Sequence, residues 1–337
     1  MNFRTIAATA TLLGLLSPLL RAAEEEIETA WTLEKDKTYL YKMGMRSEVS
    51  FDIPTKGPAK TIVLLDLVPE LDTASVRSGR KPQATFKGTY KAVKFHLEVP
   101  FVGSMHFDSE NELDQREAAR DPLKRALLML KDKLPYSFKM TDRAEVSRVS
   151  GHNRFVPRAF SGRGLKDPVP TAANAILKKI LMDKMREQAF ADLFIPLSKE
   201  KLLPGDRWKG SSEGLIYPLG SYLFDTEYTL KEVKEGKIAV ITSTSGVKRD
   251  PRSEAGFELP SKDDPTYGMF AQLLKQLKIQ ESSREGTFEF DLEKGEMISG
   301  KVEMKLTLAG SFAPMGQSYD IQLDASHVRT LEREEKE

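Results

Sequence analysis

The sequence predicts an α+β fold, mainly β, in which long antiparallel sheet arranged in two similar lobes packs on two or three helices. Three observations carry this. From 286 to 327 apolar and polar residues alternate in three runs, Phe288/Phe290/Leu292, Val302/Met304/Leu306/Leu308 and Tyr319/Ile321/Leu323/Ala325, each the pattern of a half-buried strand. Near the other end, Tyr39, Tyr41, Met43, Met45, Val49, Phe51 and Ile53 all fall on odd positions, as one long strand requires. Between these ends the period lengthens to that of a helix at 121–134 and again at 171–194.

Taken in order, residues 1–22 read as an export signal: Arg4 is the basic start, 6–20 the apolar run, and Ala22 and Ala23 the small residues that follow. That run is too short for a spanning helix and is broken by Pro18, and no second one follows, so the reading is an exported protein, periplasmic or extracellular, not an integral membrane one. The absence of cysteine excludes disulfides, a thiol nucleophile and thiolate metal sites. Removing Arg4 and Arg21 from the 51 basic residues leaves 49 against 50 acidic ones, a balance that argues against a dedicated nucleic-acid or anionic-lipid surface.

An N-terminal β lobe spans 30–153. Its first strand, bent at Gly44, turns through 54–60 into the apolar run 61–68, and the polar stretch 72–84 reads as a loop. Strand pattern returns at Phe86 and Tyr90, at Val93, Phe95, Leu97 and Val99, and at Met105 and Phe107. Leu123, Leu127, Leu130 and Leu134 then define an amphipathic helix over 121–134, opened by Asp121-Pro122 and closed by Pro135. The hairpin Tyr136/Phe138/Met140 and 146–149 ends at Gly151.

Residues 154–200 read as a basic linker rich in Gly and Pro followed by a helix over 171–194, with Thr171 as its cap and Ile176, Leu177, Ile180, Leu181, Met185, Phe190 and Leu193 inward. The C-terminal β lobe, 201–330, holds strands at Trp208, 222–230 and 238–247, a short helix around Phe270, Leu273, Leu274 and Leu277, and the meander; 331–337 are a charged tail. Hairpins 138–151 and 288–300 share a plan, which suggests a duplication.

The long opening strand 38–51, the segments 134–140 and 150–151, the phrase Leu203-Pro204-Gly205-Asp206-Arg207-Trp208 and the hairpin 288–300 together resemble an uncharacterised family of exported bacterial proteins with a Gly-Asp-x-Trp strand start. The resemblance covers about residues 37–330 and implies location and architecture only.

Candidate chemistry is sparse. Gly210-Ser211-Ser212-Glu213-Gly214 matches the nucleophile elbow Gly-x-Ser-x-Gly, and Asp225 and His327 follow in the chain order of a serine-hydrolase triad. The motif needs a helix directly after it, which 215–220 cannot begin, so a serine hydrolase using Ser212 is the remote reading. Ser104, His106 and Asp108 fall on one face of a strand, and that face reads as the wet side of one burying Met105 and Phe107. The four histidines, His96, His106, His152 and His327, form no metal-binding motif, and no cofactor is expected. Arg154, Arg158 and Arg163 among glycines are candidates for gripping an anion, and Tyr39, Tyr41, Met43, Met45 and Trp208 for lining an apolar cleft.

The expected function is therefore a non-enzymatic cell-envelope protein binding a lipid or other apolar ligand in a cleft between sheet and helices. The alternative is a structural or protein-interaction module that meets another envelope protein and takes no ligand.

Overall fold

In the computed structural model the described residues are 26–53, 57–100, 103–131, 133–161, 165, 167–216, 219–251, 276–312 and 318–334. The expected export signal, the helix around Phe270 and the guanidinium of Arg163 lie outside them.

A 12-stranded antiparallel sheet organises the chain. Its strands are β1 (Thr38–Ile53), β2 (Gly57–Arg77), β3 (Gln83–Val99), β4 (Gly103–Asp108), β5 (Tyr136–Thr141), β6 (Val146–Ser150), β7 (Arg207–Ile216), β8 (Gly220–Lys234), β9 (Ile238–Arg249), β10 (Lys278–Asp291), β11 (Glu296–Phe312) and β12 (Tyr319–Glu334). The order is β6-β5-β3-β2-β1-β12-β11-β10-β9-β8-β7, with β4 branching from β3. The two lobes thus share one sheet, and β1 paired with β12 is their joint. Among the described residues five helices accompany it: α1 (Glu112–Glu117), α2 (Pro122–Leu130), α3 (His152–Ala159), α4 (Pro168–Ile180) and α5 (Asp183–Leu193).

The odd residues of β1 face inward as their period requires, and in register they meet Leu65 and Leu67 of β2 on one side and Leu331 and Ala325 of β12 on the other. In β3 the inward phase is even at Phe86 and Tyr90 and odd from Val93 onward, because Lys91 is an extra residue where Pro69 faces Tyr90 and Val68 faces Ala92. That bulge makes one strand of what reads as two runs. The expected loop over 72–84 shrinks to the residues between Arg77 and Gln83, since β2 runs on with Thr73 buried and Ser75 opposite Thr85. The expected tail is strand as far as Glu334, because Leu331 continues the inward phase of Ala325.

Asp121 caps α2 as its position predicts, accepting from the amides of Leu123 at 2.7 Å and Lys124 at 3.0 Å, with Pro122 in the first turn. The helix stops at Leu130, short of the expected 134, where Lys131 forms a bridge to Tyr90. The expected linker contains α3, started where Gly151 turns the chain at φ +122° and anchored by the buried His152, Val156 and Phe160. The single helix expected over 171–194 is two, broken at Met182, with Asn153 Oδ1 accepting from the Asp183 amide at 3.0 Å to start α5.

Helix α5 packs against both β6 and β7, the two ends of the sheet path, and so closes the seam between them. Its apolar face sets Phe190 against Phe138 at 4.9 Å and Tyr136 at 6.0 Å between ring centres. Next to it Phe194 meets Tyr41 at 5.5 Å and Trp31 at 5.6 Å. A second apolar cluster, built on Val49, Phe224, Met304, Leu306, Leu323 and Ala325, occupies the other end of the same inward face.

Candidate functional site

The residues expected to line a cleft beneath the sheet are placed in a filled interior. Tyr39, Tyr41 and Met43 are buried, and Met45 is half-buried against the same core. Trp31 and Phe194 occupy the space over them, and the Tyr41 hydroxyl donates to the Met297 carbonyl at 3.2 Å. Burial pushes the Tyr39 phenol up to about 12 and raises that of Tyr41 further. Trp208 stacks on Tyr228 at 5.5 Å and its Nε1 donates to the Pro196 carbonyl at 2.8 Å. The Gly-Asp-x-Trp phrase is thus a strand-starting turn: Gly205 adopts φ +93°, Asp206 Oδ2 accepts from the Leu203 amide at 2.8 Å, and Trp208 pins the turn to the sheet.

The hydrolase constellation does not assemble. Ser212 lies within β7, antiparallel to β8, and not at a strand-to-helix elbow. Its hydroxyl donates to Asp192 at 3.3 Å, while Asp225 pairs with Lys248 at 2.8 Å on the exposed face. The motif's glycines serve packing: a Cβ at Gly214 would collide with the Phe224 ring, and one at Gly210 would crowd Tyr228. Ser104 and His106 are exposed on β4, and Asp108 is held by Lys94 at 3.1 Å. His96 and His106 face each other across β3 and β4 at 6.2 Å between rings. Among the described residues no group of three His, Cys, Asp or Glu side chains is arranged to hold a metal ion.

Open space lies instead on the helical surface. A groove of about 670 Å³ runs between α2 and α3, floored by Ala126, Met129, Leu134 and Phe155 and edged by Arg125, Lys133, Arg154 and Arg158. A second hollow of about 510 Å³ shares Arg125, Met129 and Lys133 with it. Met129, the ridge between the two, is 37% exposed, one of two large apolar side chains on the described surface that are so open. Arg125 is held in place by donating to the Ala118 carbonyl at 3.1 Å, so it stands as a fixed cation at the rim. Among the described residues Lys133, Arg154 and Arg158 make no ion pair. The groove exists because Gly151 lets α3 start hard against the hairpin: a Cβ there would meet the Pro135 carbonyl at 2.7 Å and Tyr136 Cα at 2.9 Å.

Two of the three arginines singled out from the sequence, Arg154 and Arg158, therefore meet in one site, joined by Arg125 and Lys133, which the sequence analysis does not single out. Their signal in the sequence is faint, since a solvated helix face and a basic rim look alike along one element.

Fold and site together define a sheet-dominated α+β protein with a filled interior and an open, apolar-floored basic groove on its helical side. Residues 81–296 match the model of a family of unknown function, DUF6263, and the chain belongs to that family. A search of curated proteins finds no match. Among solved structures, one titled as lipid–protein interactions in lipovitellin is similar over 90% of this chain at 13% identity and a TM-score of 0.48. This chain spans 26% of that one. An outer membrane channel from Pseudomonas putida F1 is similar over 90% of this chain and 97% of its own, at 8% identity and a TM-score of 0.25. Likeness at this level says nothing of ligand or partner. Among the described residues no helix is long and apolar enough to cross a membrane.

Proposed function

We propose that the protein is an exported, non-enzymatic binding protein of the cell envelope, and that its ligand is an amphiphile with an anionic head and an acyl or similarly apolar tail, held in the groove between α2 and α3. The observation that carries the reading is the pairing of an apolar floor with rim cations that lack acidic partners among the described residues. A hollow of several hundred Å³ accommodates a small ligand. Arginine donates in a fork that matches a carboxylate or phosphate, and methionine adapts its shape to a varied tail. The apolar run of residues 1–22 supports export.

Native mass spectrometry of the purified protein tests this: a co-purified anionic lipid is expected, released by denaturation. A bare mass, together with no saturable uptake of dodecanoate below its micelle concentration, overturns it.

One observation favours a second reading, an interaction module without a small ligand: the inward face of the sheet is filled by the protein's own side chains. The groove would then meet an acidic surface of an envelope protein, and in-cell crosslinking through a photoreactive residue at Met129 would capture that protein. For the hydrolase reading, wild-type protein is expected to give no labelling at Ser212 by a fluorophosphonate probe, and labelling there would revive it.

A further inference from the structure

Beneath α5 the inward face of the sheet carries charge where strand periodicity calls for apolar residues. Arg284 lies in the phase of Phe288 and Phe290, and His327 and Arg329 in the phase of Ala325 and Leu331; all three are buried. From the helix side come Arg186 and Asp192, 5% and 6% exposed.

Asp192 is fully engaged. One carboxylate oxygen accepts from Arg284 at 3.1 Å and from the Ser212 hydroxyl at 3.3 Å, and the other accepts from Arg329. Arg284 also donates to Ser245 at 2.8 Å and lies 4.4 Å over the Phe224 ring. Arg329 Nε donates to His327 Nε2 at 3.0 Å, so the His327 proton sits on Nδ1, and no buried acceptor among the described residues meets it. Nor do Nε and Nη2 of Arg186 meet one, its guanidinium lying 5.1 Å from the Phe190 ring centre.

The remaining acids on and around α5 have partners of their own. Asp183 accepts from the His152 amide at 2.9 Å, Glu187 from the Val149 amide at 3.1 Å, and Glu213 meets Lys184 at 3.4 Å. Arg284 and Arg329 therefore share the buried carboxylate of Asp192, the buried guanidinium of Arg186 pairs with no carboxylate among the described residues, and the unpartnered nitrogens of Arg186 and His327 are donors, with Gln188 Oε1 an unpartnered acceptor on the same helix. An interior with surplus cation and surplus donors is stabilised by an anion that accepts from them. Arg186 lies on the same helix as Asp192, six positions earlier and so about 9 Å along its axis, which brings it toward the Arg284–Asp192–Arg329 group.

We propose that the seam between α5 and strands β10 and β12 is an internal anion site, in which a small oxyanion of the phosphate or carboxylate class accepts from Arg186 in the field of Arg284 and Arg329. It is independent of the α2–α3 groove, and the anion can be a free ion or the head of a lipid.

Calorimetric titration of the full exported chain at constant ionic strength tests it, with inorganic phosphate in one arm and soluble dihexanoylphosphatidic acid in the other. With both arms run on the double variant Arg154→Ala/Arg158→Ala, which removes the groove cations, one saturable site is expected in at least one arm, weakened at least tenfold when Arg186→Gln is added. Tighter binding of the lipid by tenfold or more assigns the head of a lipid, and equal binding assigns the free ion. No saturable binding in either arm, or binding unchanged when Arg186→Gln is added, overturns the proposal. Should Arg186→Gln lose the wild-type circular dichroism spectrum, Arg186→Lys decides in its place: it keeps the charge and loses the fork, and the same tenfold weakening is expected.

Discussion

Helices meet the rest of the molecule in two contrasting ways. At the seam, α5 buries Arg186, Gln188, Phe190, Asp192 and Leu193 and ties both ends of the sheet together through its polar groups. On the outer surface, α2 and α3 bury one stripe each and turn Arg125, Arg154 and Arg158 outward around an open hollow, with Lys133 of the intervening segment beside them. The same residue type is thus structural in one place and available in the other. The contrast lies in how much of the fold each set of charges carries: breaking the Asp192 ion pairs at the seam should destabilise the protein strongly, and changes in the groove should leave it folded.

The largest effect is expected at Asp192. Asp192→Ala leaves Arg284 and Arg329 buried without their carboxylate and should lower stability by about 3–5 kcal/mol in urea denaturation. A loss under about 1 kcal/mol would mean that water reaches the seam and would erase the distinction.

Second in size is the response to pH. Burial, with Arg329 and then Arg284 beside it, pushes the His327 pKa well down, and burial also lowers that of His152. The unfolded chain then binds protons that the folded one refuses, so stability is full above the ordinary histidine pKa of 6.5 and falls as pH drops below it. His327, whose pKa is pushed well down, contributes a slope of about 1.4 kcal/mol per pH unit below the ordinary value of 6.5. His327→Gln should remove that contribution between pH 6.5 and 5, where carboxylates with lowered pKa such as Asp183 stay ionised. An unchanged slope would place His327 in contact with solvent.

A smaller loss is expected within the packed interior, where Tyr41→Phe removes the bond to Met297 and leaves the carbonyl to find another donor. About 1 kcal/mol is expected, read as a shift in the urea midpoint. The smallest effect on stability belongs to the groove: Arg154→Ala/Arg158→Ala should stay within about 0.5 kcal/mol of wild type.

How far the sequence foretold this division depends on what each residue's neighbours are. The inward face of β1, the Asp121-Pro122 helix start and the turn before Trp208 were legible because each is a local pattern with one physical reading. The phase change between Tyr90 and Val93 was visible as two runs, but only a partner strand tells a bulge from a loop. Helix α3 stayed hidden because Gly151, Pro157 and its two arginines read as linker, and what holds it is burial of His152, Val156 and Phe160. The tyrosines of β1 read as ligand-lining because nothing in their own strand reveals Trp31 and Phe194 above them. The seam was marked in the sequence by Arg284, His327 and Arg329 at inward positions, yet their partner Asp192 sits on a helix that one-dimensional periodicity cannot dock.

The most direct measurement of the central claim is a titration of wild-type and Arg154→Ala/Arg158→Ala protein with dodecanoate below its micelle concentration, alongside a urea melt of each. Saturable binding weakened at least tenfold in the variant, with melts that superimpose, is the expected result. Equal affinity in the two proteins would place the ligand elsewhere and contradict the assignment of the α2–α3 groove.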